Sequence, residues 1–195
     1  MKPKSLNMGD KVAIVSLSSG ALGEDFAKHE LDLGIKRLKE LELEPVIMPN
    51  ALKGIKYLLE HPEKRAEDLI DAFKNPEIKA IICAIGGTDT YKTIPYILTP
   101  ERIEIIKNNP KIFMGYSDST INHLTLSSIG LNTFYGPAFL TDFAELDEDM
   151  LAYTKYWVFN LLSALQISNF CQVRFGMTSE QIFRQKLLAR LAPCT

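Results

Sequence analysis

The chain has 195 residues, enough for one well-buried domain and marginal for two. With 46% hydrophobic residues, 24% charged residues and a net charge of -2, its composition is that of an ordinary globular protein. It contains neither the clustered Lys and Arg that a nucleic-acid polymer requires nor the apolar run of roughly 20 residues that crosses a bilayer, which excludes both as partners.

Two periodicities alternate along most of the chain. Short apolar runs predict strands at residues 11–17, 44–49, 80–86, 111–114 and 133–139. Apolar residues at helical spacing predict helices at 24–43, 62–75, 101–109, 118–129 and 151–163. The run that begins at Ala80 is apolar throughout, which is typical of a parallel strand covered on both faces. The alternation therefore predicts an α/β fold with a doubly wound, mostly parallel sheet.

Three loops that follow predicted strands combine glycine with small polar residues. They are S-S-G at 18–20, G-G-T-D at 86–89 and G-Y-S-D at 115–118. In a doubly wound sheet, ligands bind beyond the carboxyl ends of the strands. The three loops are therefore predicted to share one rim of the sheet and to form the ligand site.

Cysteine usage and the N-terminus favour a cytoplasmic location. Cys83, Cys171 and Cys194 are an odd number without metal-ligand spacing, and Cys83 lies inside an apolar run, which predicts a buried thiol. This pattern suits a reducing compartment, and the first ten residues lack the apolar region of a signal peptide. We expect a soluble cytoplasmic protein without a metal site.

Ser117 has two interpretations. A strand, a glycine, a serine and a helix in this order form a nucleophile elbow, in which the Asp118 amide would point toward an oxyanion. Ser119 occupies the place of the second glycine of that motif, so the match is incomplete. Serine is also a preferred helix cap, and local spacing alone favours the cap.

The glycine pair of G-G-T-D is similarly open to two interpretations. Two glycines after a strand can bring backbone amides close to an anion, or can simply form a turn. The segment lacks the glycine spacing of a dinucleotide-binding fingerprint and the G-K-[ST] of a P-loop. It therefore indicates a close backbone approach without specifying a ligand.

No complete Ser-His-acid set can be assigned from the sequence. His29 and His61 lie in charged segments that we expect to be exposed. His123 follows Ser117 by six residues, and the intervening helix points it elsewhere, so we expect a buried, hydrogen-bonded side chain.

Four segments resemble the LD-carboxypeptidase family of serine peptidases, especially its microcin C immunity (MccF-like) branch. These segments are G-D-K-V-A-I-V-S-L-S-S-G at 9–20, A-I-I-C-A-I-G-G-T-D-T-Y-K-T-I-P-Y-I at 80–97, K-I-F-M-G-Y-S-D-S-T at 111–120 and T-F-Y-G-P at 133–137. The resemblance covers about residues 5 to 163 and implies an N-terminal domain similar to class I glutamine amidotransferases.

The resemblance also implies roles for individual residues. Ser117 would be the nucleophile, and the amides of Asp118 and Gly87 would bind the oxyanion. The substrate-binding residues would be Gly86, Thr88 and Asp89. Members of the family are cytoplasmic, usually homodimeric, and need no metal or cofactor. They cleave amide bonds near a free carboxylate, in murein tetrapeptides or in the aminoacyl-nucleotide part of a toxic peptide.

The last third departs from the family pattern. Residues 1–163 match an N-terminal nucleophile domain, whereas 164–195 form an atypical tail, and the family's catalytic Glu and His belong to a C-terminal domain that we expect to be absent. In another frame, F-G-M-T-S-E-Q-I-F can encode W-Y-D-E-R-T-D-F, which is close to the family's W-x-D-E. We therefore hypothesise that the tail is a frameshift product.

Several functions remain open at this point. The first is a serine carboxypeptidase that is truncated and inactive in this form. The second is a non-catalytic module that binds small peptides or aminoacyl-nucleotides, and the third is a pseudogene fragment with a bare apolar face. An amidotransferase is the enzymatic runner-up, but it would need a cysteine at the position of Ser117.

Overall fold

Five parallel strands form the centre of the molecule in a computed structural model, which describes residues 1–162 and the side chains of residues 1–158. The strands are β1 (Lys11–Val15), β2 (Glu44–Ile47), β3 (Ile78–Cys83), β4 (Ile112–Gly115) and β5 (Phe134–Tyr135). Their order across the sheet is β2-β1-β3-β4-β5. All four pairings are parallel, which confirms the predicted fold class.

The direction of winding reverses between β1 and β3. From β1 the chain moves outward to β2, and it then returns to build β3, β4 and β5 on the other side of β1. In sheets of this class, ligands bind at the carboxyl ends of the strands where the winding reverses, which are β1 and β3 in this protein. The loops after these two strands are therefore the expected position of a ligand.

Helices flank the apolar strands. They are α1 (Lys28–Glu40), α2 (Gly54–Glu60), α3 (Pro62–Lys74), α4 (Ile94–Ile97), α5 (Pro100–Asn108), α6 (Thr120–Ser128) and α7 (Ala152–Leu162). Ile14 of β1 and Ile81 of β3 are fully buried, as expected for central strands covered on both faces. None of the described helices is both long and apolar enough to cross a membrane.

Helix α1 is shorter than the predicted helix at 24–43. Residues 25–27 form a separate 3₁₀ turn in which Phe26 is 64% exposed. Its spacing predicted a core residue, and this prediction is wrong. At the other end, Glu42 adopts a left-handed φ of 58°, and the Leu43 amide donates to the Leu38 carbonyl at 3.0 Å. This closing hydrogen bond is the usual way to end a helix.

The predicted strand at 133–139 is also shorter in the structure. Pairing with β4 stops at Tyr135, because Gly136-Pro137 follows and proline has no amide hydrogen to continue a ladder. Residues Phe139–Phe143 instead form a π-helical turn. Phe139 is fully buried against Gly34 of α1, so packing against a helix replaces strand pairing here.

Helix α7 agrees with the helix predicted at 151–163. The tail at 164–195, the frameshift hypothesis, Cys171 and Cys194 lie outside the described residues. The division of the chain at residue 163 stays a prediction.

Candidate active site

Three loops meet at the carboxyl ends of β1, β3 and β4, and hydrogen bonds join them. The Asp118 carboxylate accepts hydrogen bonds from the Ser18 hydroxyl and from the Thr90 amide, the latter at 2.9 Å. The Ser19 amide donates to the Gly86 carbonyl at 3.2 Å. The predicted common rim is therefore confirmed.

Ser117 occupies a sharp turn at this rim. β4 ends at Gly115, Tyr116 is extended, and Ser117 then has a φ of 64° before a helical turn begins. A left-handed conformation costs an L-residue roughly 1–2 kcal/mol, so the surrounding contacts must hold it. Ser117 is exposed, and a strained serine between a strand and a helix is the geometry of a nucleophile elbow.

The structure does not use Ser117 as a helix cap. Ser117 is itself the first residue of the 3₁₀ turn at Ser117–Ser119, and neither this turn nor α6 has a side-chain capping hydrogen bond. Within residues 1–158, the Ser117 hydroxyl makes no hydrogen bond, whereas the Ser119 hydroxyl donates to the Tyr116 carbonyl at 2.7 Å. The Ser117 hydroxyl thus remains available at the rim.

The glycine pair lies directly against the other two loops. A methyl group at Gly86 would lie 2.8 Å from Ser117 Oγ and 3.3 Å from the Asp118 amide nitrogen. A methyl group at Gly87 would lie 2.2 Å from Ser18 Oγ. Only glycine therefore fits at both positions, and the backbone of this loop faces the Ser117 hydroxyl at close range.

The Asp118 amide lies where a helix start leaves backbone donors unused. Asp118 is in the first turn, where amides have no acceptor within the helix. Gly87 and Thr88 are exposed on the facing loop. Asp118 and Gly87 therefore lie on two adjacent loops, Gly86 is the residue of the second loop that faces Ser117, and the oxyanion role of the two amides stays a prediction.

Asp89 is held by a buried arginine. The Arg65 guanidinium, 1% exposed, donates to both Asp89 carboxylate oxygens at 2.8 and 3.0 Å. Burial by itself would raise the pKa of Asp89, but the hydrogen bonds and charge of Arg65, aided by Lys92, hold that pKa below its usual value. Asp89 therefore anchors the G-G-T-D loop, and its role as a substrate ligand stays a prediction.

Thr90 is a buried junction that the sequence did not reveal. Besides its amide bond to Asp118, its hydroxyl donates to the Leu17 carbonyl at 2.9 Å and accepts from the Asn122 side-chain amide at 2.7 Å. Thr90 is fully buried. The only signal in the sequence was the position of Thr90 directly after G-G-T-D, which does not specify its partners.

His123 is buried and hydrogen-bonded, as predicted. Its Nε2 donates to the Gly115 carbonyl at 2.9 Å, so its Nδ1 accepts from the Thr133 hydroxyl at 2.8 Å. Burial lowers the pKa of His123, against a smaller opposite effect of the Gly115 hydrogen bond. Both ring nitrogens are occupied, so His123 is not placed to take a proton from Ser117.

Neither the other histidines nor the buried thiol has a hydrogen bond to Ser117 within the described residues. His29 and His61 are paired with neighbouring carboxylates, Glu30 and Glu63, at the surface. Cys83 is 1% exposed, and burial raises its pKa to about 12, which makes it a poor nucleophile. Within the described part of the chain, no group of three or more His, Cys, Asp or Glu side chains could hold a metal ion.

Tyr135 is a second residue that the sequence did not reveal. Its hydroxyl oxygen accepts a hydrogen bond from the Ser117 amide at 3.1 Å, and the Thr120 hydroxyl lies 3.4 Å away. These two interactions, that of Thr120 first, lower the pKa of Tyr135. The sequence showed Tyr135 only as part of T-F-Y-G-P, with no indication that β5 would bring it to the turn at Ser117.

Comparison with known proteins identifies the family. Residues 12–136 match the family model described as the LD-carboxypeptidase N-terminal domain. The chain belongs to the LD-carboxypeptidase family. A "Probable murein peptide carboxypeptidase" of Bacillus subtilis is 36% identical over 157 residues, which are 80% of this chain and 46% of that protein. The "Microcin C7 self-immunity protein MccF" of Escherichia coli is 30% identical over 72% of this chain and 39% of its own length.

Solved structures agree with this assignment. An MccF-like protein from Streptococcus pneumoniae in complex with AMP has 49% sequence identity and a TM-score of 0.78, over 86% of this chain and 48% of that one. MccF in complex with aspartyl sulfamoyl adenosine has 26% identity and a TM-score of 0.72, over 85% of this chain and 48% of that one. The chain thus spans about half the length of the relatives it matches.

Proposed function

We propose that Ser117 is the nucleophile of a serine-type carboxypeptidase that hydrolyses amide bonds near a free carboxylate. The observation that supports this most strongly is the left-handed turn that holds an exposed Ser117 hydroxyl at the rim, without a hydrogen bond to any of the described residues. Strain of this kind is retained at functional sites because the surrounding structure stabilises it. Membership of the LD-carboxypeptidase family supports the same reaction class.

In the proposed reaction, Ser117 Oγ attacks the carbonyl carbon of the amide bond. The negative charge that develops on the carbonyl oxygen is stabilised by the Asp118 and Gly87 amides, helped by the positive end of α6, which follows the 3₁₀ turn at Ser117–Ser119. Gly86 leaves room for the substrate beside Ser117, and Thr88 and Asp89 belong to the loop that would contact it. A serine hydroxyl also needs a general base, because it is a weak nucleophile by itself.

The general base is not among the three histidines of these 195 residues. Both nitrogens of His123 are occupied, and His29 and His61 pair with carboxylates at the surface. We therefore propose that these 195 residues alone hydrolyse such bonds very weakly. Loss of triad members typically lowers the rate by several orders of magnitude and leaves a residue of activity from the oxyanion hole.

Two substrate classes fit the family. The Bacillus subtilis relative is named for murein peptides, whereas the MccF structures hold AMP or aspartyl sulfamoyl adenosine. The 49% identity to the AMP-bound MccF-like protein favours an aminoacyl-nucleotide as the substrate. The proposal also includes a cytoplasmic location, which cysteine usage and the family resemblance support. It further includes a homodimer, which the family resemblance supports.

The proposal is tested with the 195-residue protein, the Ser117→Ala variant and the Ser127→Ala variant. Ser127 is an exposed serine on α6 and serves as the matched control. A fluorophosphonate should attach slowly to Ser117 with loss of fluoride, and intact-protein mass spectrometry with peptide mapping should find the adduct in wild type and Ser127→Ala. Labelling of other serines at an equal rate in Ser117→Ala would contradict the nucleophile assignment.

Turnover tests the second part of the proposal separately. With an L,D-tetrapeptide and with aspartyl sulfamoyl adenosine, we expect product release at least about three orders of magnitude below that of a relative with its full length. If the 195-residue protein turned over substrate as fast as the full-length relative and Ser117→Ala abolished this turnover, only the claim of very weak activity would be refuted. Turnover that Ser117→Ala leaves unchanged would refute the nucleophile.

A second function is favoured by the same absence of a histidine base within these residues. The rim could bind a small peptide or an aminoacyl-nucleotide without cleaving it, as the AMP-bound MccF-like structure suggests for the ligand class. Titration calorimetry with AMP distinguishes the two functions. A pure binding module should bind AMP with equal affinity in wild type and Ser117→Ala and should show no labelling of Ser117.

A further inference from the structure

Both backbone polar groups of Ser117 are held by side chains. The Ser117 amide donates to the Tyr135 hydroxyl oxygen at 3.1 Å, and the Thr120 hydroxyl donates to the Ser117 carbonyl at 2.6 Å. The two hydroxyl groups are 3.4 Å apart. The Thr120 hydroxyl is the donor toward both the Ser117 carbonyl and the Tyr135 oxygen, and the Ser117 amide donates to that same Tyr135 oxygen, so Ser117, Thr120 and Tyr135 form a closed ring of interactions.

This ring acts where the backbone is strained. A left-handed residue persists only when surrounding interactions outweigh its cost, and the amide and the carbonyl are the groups whose directions φ and ψ set. A turn of Ser117 into the right-handed region would swing its amide away from Tyr135. The hydrogen bond to Tyr135 therefore opposes the relaxation that the strain favours.

The aromatic ring of Tyr135 is itself held by packing against His123. Its ring packs on the His123 ring with centroids 5.5 Å apart, and the His123 ring meets Phe113 of β4 edge-to-face at 5.0 Å. His123 also holds the carbonyl of Gly115, two residues before Ser117. Although Tyr135 is 62% exposed, its hydroxyl is thus directed by a buried side chain.

We infer that Tyr135 and Thr120 are positioning residues, which hold Ser117 in its left-handed conformation and thereby aim its hydroxyl, with His123 supporting the Tyr135 ring. The link to hydrolysis rests on the proposed function, whereas the conformation of Ser117 does not. Because the Ser117 amide already donates to Tyr135, it is not available to an oxyanion. The Asp118 and Gly87 amides are then the proposed donors.

The test compares variants that remove one hydroxyl each. Tyr135→Phe keeps the ring on His123 and removes only the phenol oxygen, and Thr120→Val removes the Thr120 hydroxyl at nearly constant volume. Thr120→Ser retains a hydroxyl and should restore the wild-type behaviour. Tyr96→Phe is the matched control, because Tyr96 is 39% exposed and lies in α4, away from the turn.

The readouts are the hydrogen-exchange rate of the Ser117 amide by NMR and the φ angle of Ser117 in crystal structures of the variants. In Tyr135→Phe, we expect the amide to exchange roughly fivefold to tenfold faster, since it loses one hydrogen bond. In the crystal structures of Tyr135→Phe and Thr120→Val, we expect Ser117 to leave the left-handed region. Tyr96→Phe and Thr120→Ser should match wild type in both measurements.

An unchanged Ser117 amide and a positive φ in both Tyr135→Phe and Thr120→Val would overturn the inference. A lower melting temperature without a change at Ser117 would also overturn it, because the two residues would then contribute only to stability. Neither readout depends on turnover. Failure of the proposed hydrolase, seen by labelling, is therefore distinguishable from failure of the positioning role.

Discussion

Ser117 combines an exposed position at the rim with a conformation that serine disfavours. Its φ of 64° places it among the non-glycine residues with left-handed backbone, together with Glu42. Glu42 has a structural reason, since it lies in the turn that closes the end of α1, whereas Ser117 begins the 3₁₀ turn at the rim. At the scale of single residues, this strain is the strongest physical sign of function, and it has a measurable cost.

That cost predicts the relative stability of two substitutions at Ser117. Ser117→Gly and Ser117→Ala both remove the hydroxyl, but only glycine adopts a positive φ without strain. The left-handed cost of roughly 1–2 kcal/mol exceeds the entropic disadvantage of glycine, about 0.4–1 kcal/mol, so Ser117→Gly should be the more stable by about 0.5–1 kcal/mol in urea unfolding.

The same pair of substitutions in a helix should give the opposite order and serves as the control. Lys36 is exposed in α1, and Lys36→Gly should be less stable than Lys36→Ala by about 1 kcal/mol, because glycine is a poor helix former. A Ser117→Ala protein as stable as Ser117→Gly would show that the turn carries no strain.

At the scale of elements, the π-helical turn Phe139–Phe143 packs on α1 because Gly34 leaves room for it. The Phe139 ring lies where a side chain on Gly34 would otherwise be, and the Arg37 guanidinium, one turn further along α1, donates to the Phe143, Glu145 and Asp147 carbonyls. These contacts hold the segment that follows β5, so they also fix the end of the strand that brings Tyr135 to Ser117.

We expect Gly34→Ala to destabilise the fold through this contact. The added methyl would lie 2.5 Å from the Phe139 ring, and overpacking of this kind costs about 1–3 kcal/mol, offset by about 1 kcal/mol of improved helix propensity. Denaturant unfolding should show a net loss. Gly136→Ala is the control, because no atom of the described residues lies within 4 Å of the added methyl, and it should stabilise the fold by about 0.4–1 kcal/mol through the lower entropy of the unfolded chain.

At the scale of the whole molecule, the candidate site is assembled from distant parts of the chain. The loops after β1, β3 and β4 contribute the rim, and β5 contributes Tyr135. Stability of the entire sheet is therefore a condition for the site. One buried carboxylate, Asp68 of α3, makes this stability depend on pH.

Asp68 joins α3 to the loop after β2. It is 3% exposed and accepts hydrogen bonds from the Asn50 amide and side chain, the latter at 2.8 Å. Burial raises its pKa from 3.8 to about 6, although the Asn50 hydrogen bonds act in the opposite direction. The folded protein therefore binds a proton that the unfolded chain has released between these pH values.

This difference in proton binding predicts a pH-dependent term in stability. The contribution of Asp68 to the free energy of unfolding should be largest below pH 3.8 and should fall as the pH rises through about 6. In urea unfolding at pH 4.5 and 7, the stability of wild type relative to Asp68→Asn should therefore decrease at the higher pH. An increase in this relative stability from pH 4.5 to pH 7 would contradict the assignment.

The sequence by itself determined the α/β class, the parallel sheet and the loops that form the rim. Apolar runs separated by amphipathic segments leave few other ways to bury their surface, so local pattern and fold class are closely linked. The glycines of G-G-T-D and the small residues of G-Y-S-D were visible for the same reason, because each is a local requirement of a tight turn.

Only the tertiary structure decided which side chains hold Ser117 and the loops around it. Tyr135, Thr90 and Arg65 are far from Ser117 in the sequence, and their hydrogen bonds arise from strand order and loop approach, which no local periodicity encodes. The choice between a helix cap and an elbow was of the same kind. It depended on one φ angle and on the direction of one hydroxyl, both of which are set by contacts between separate strands.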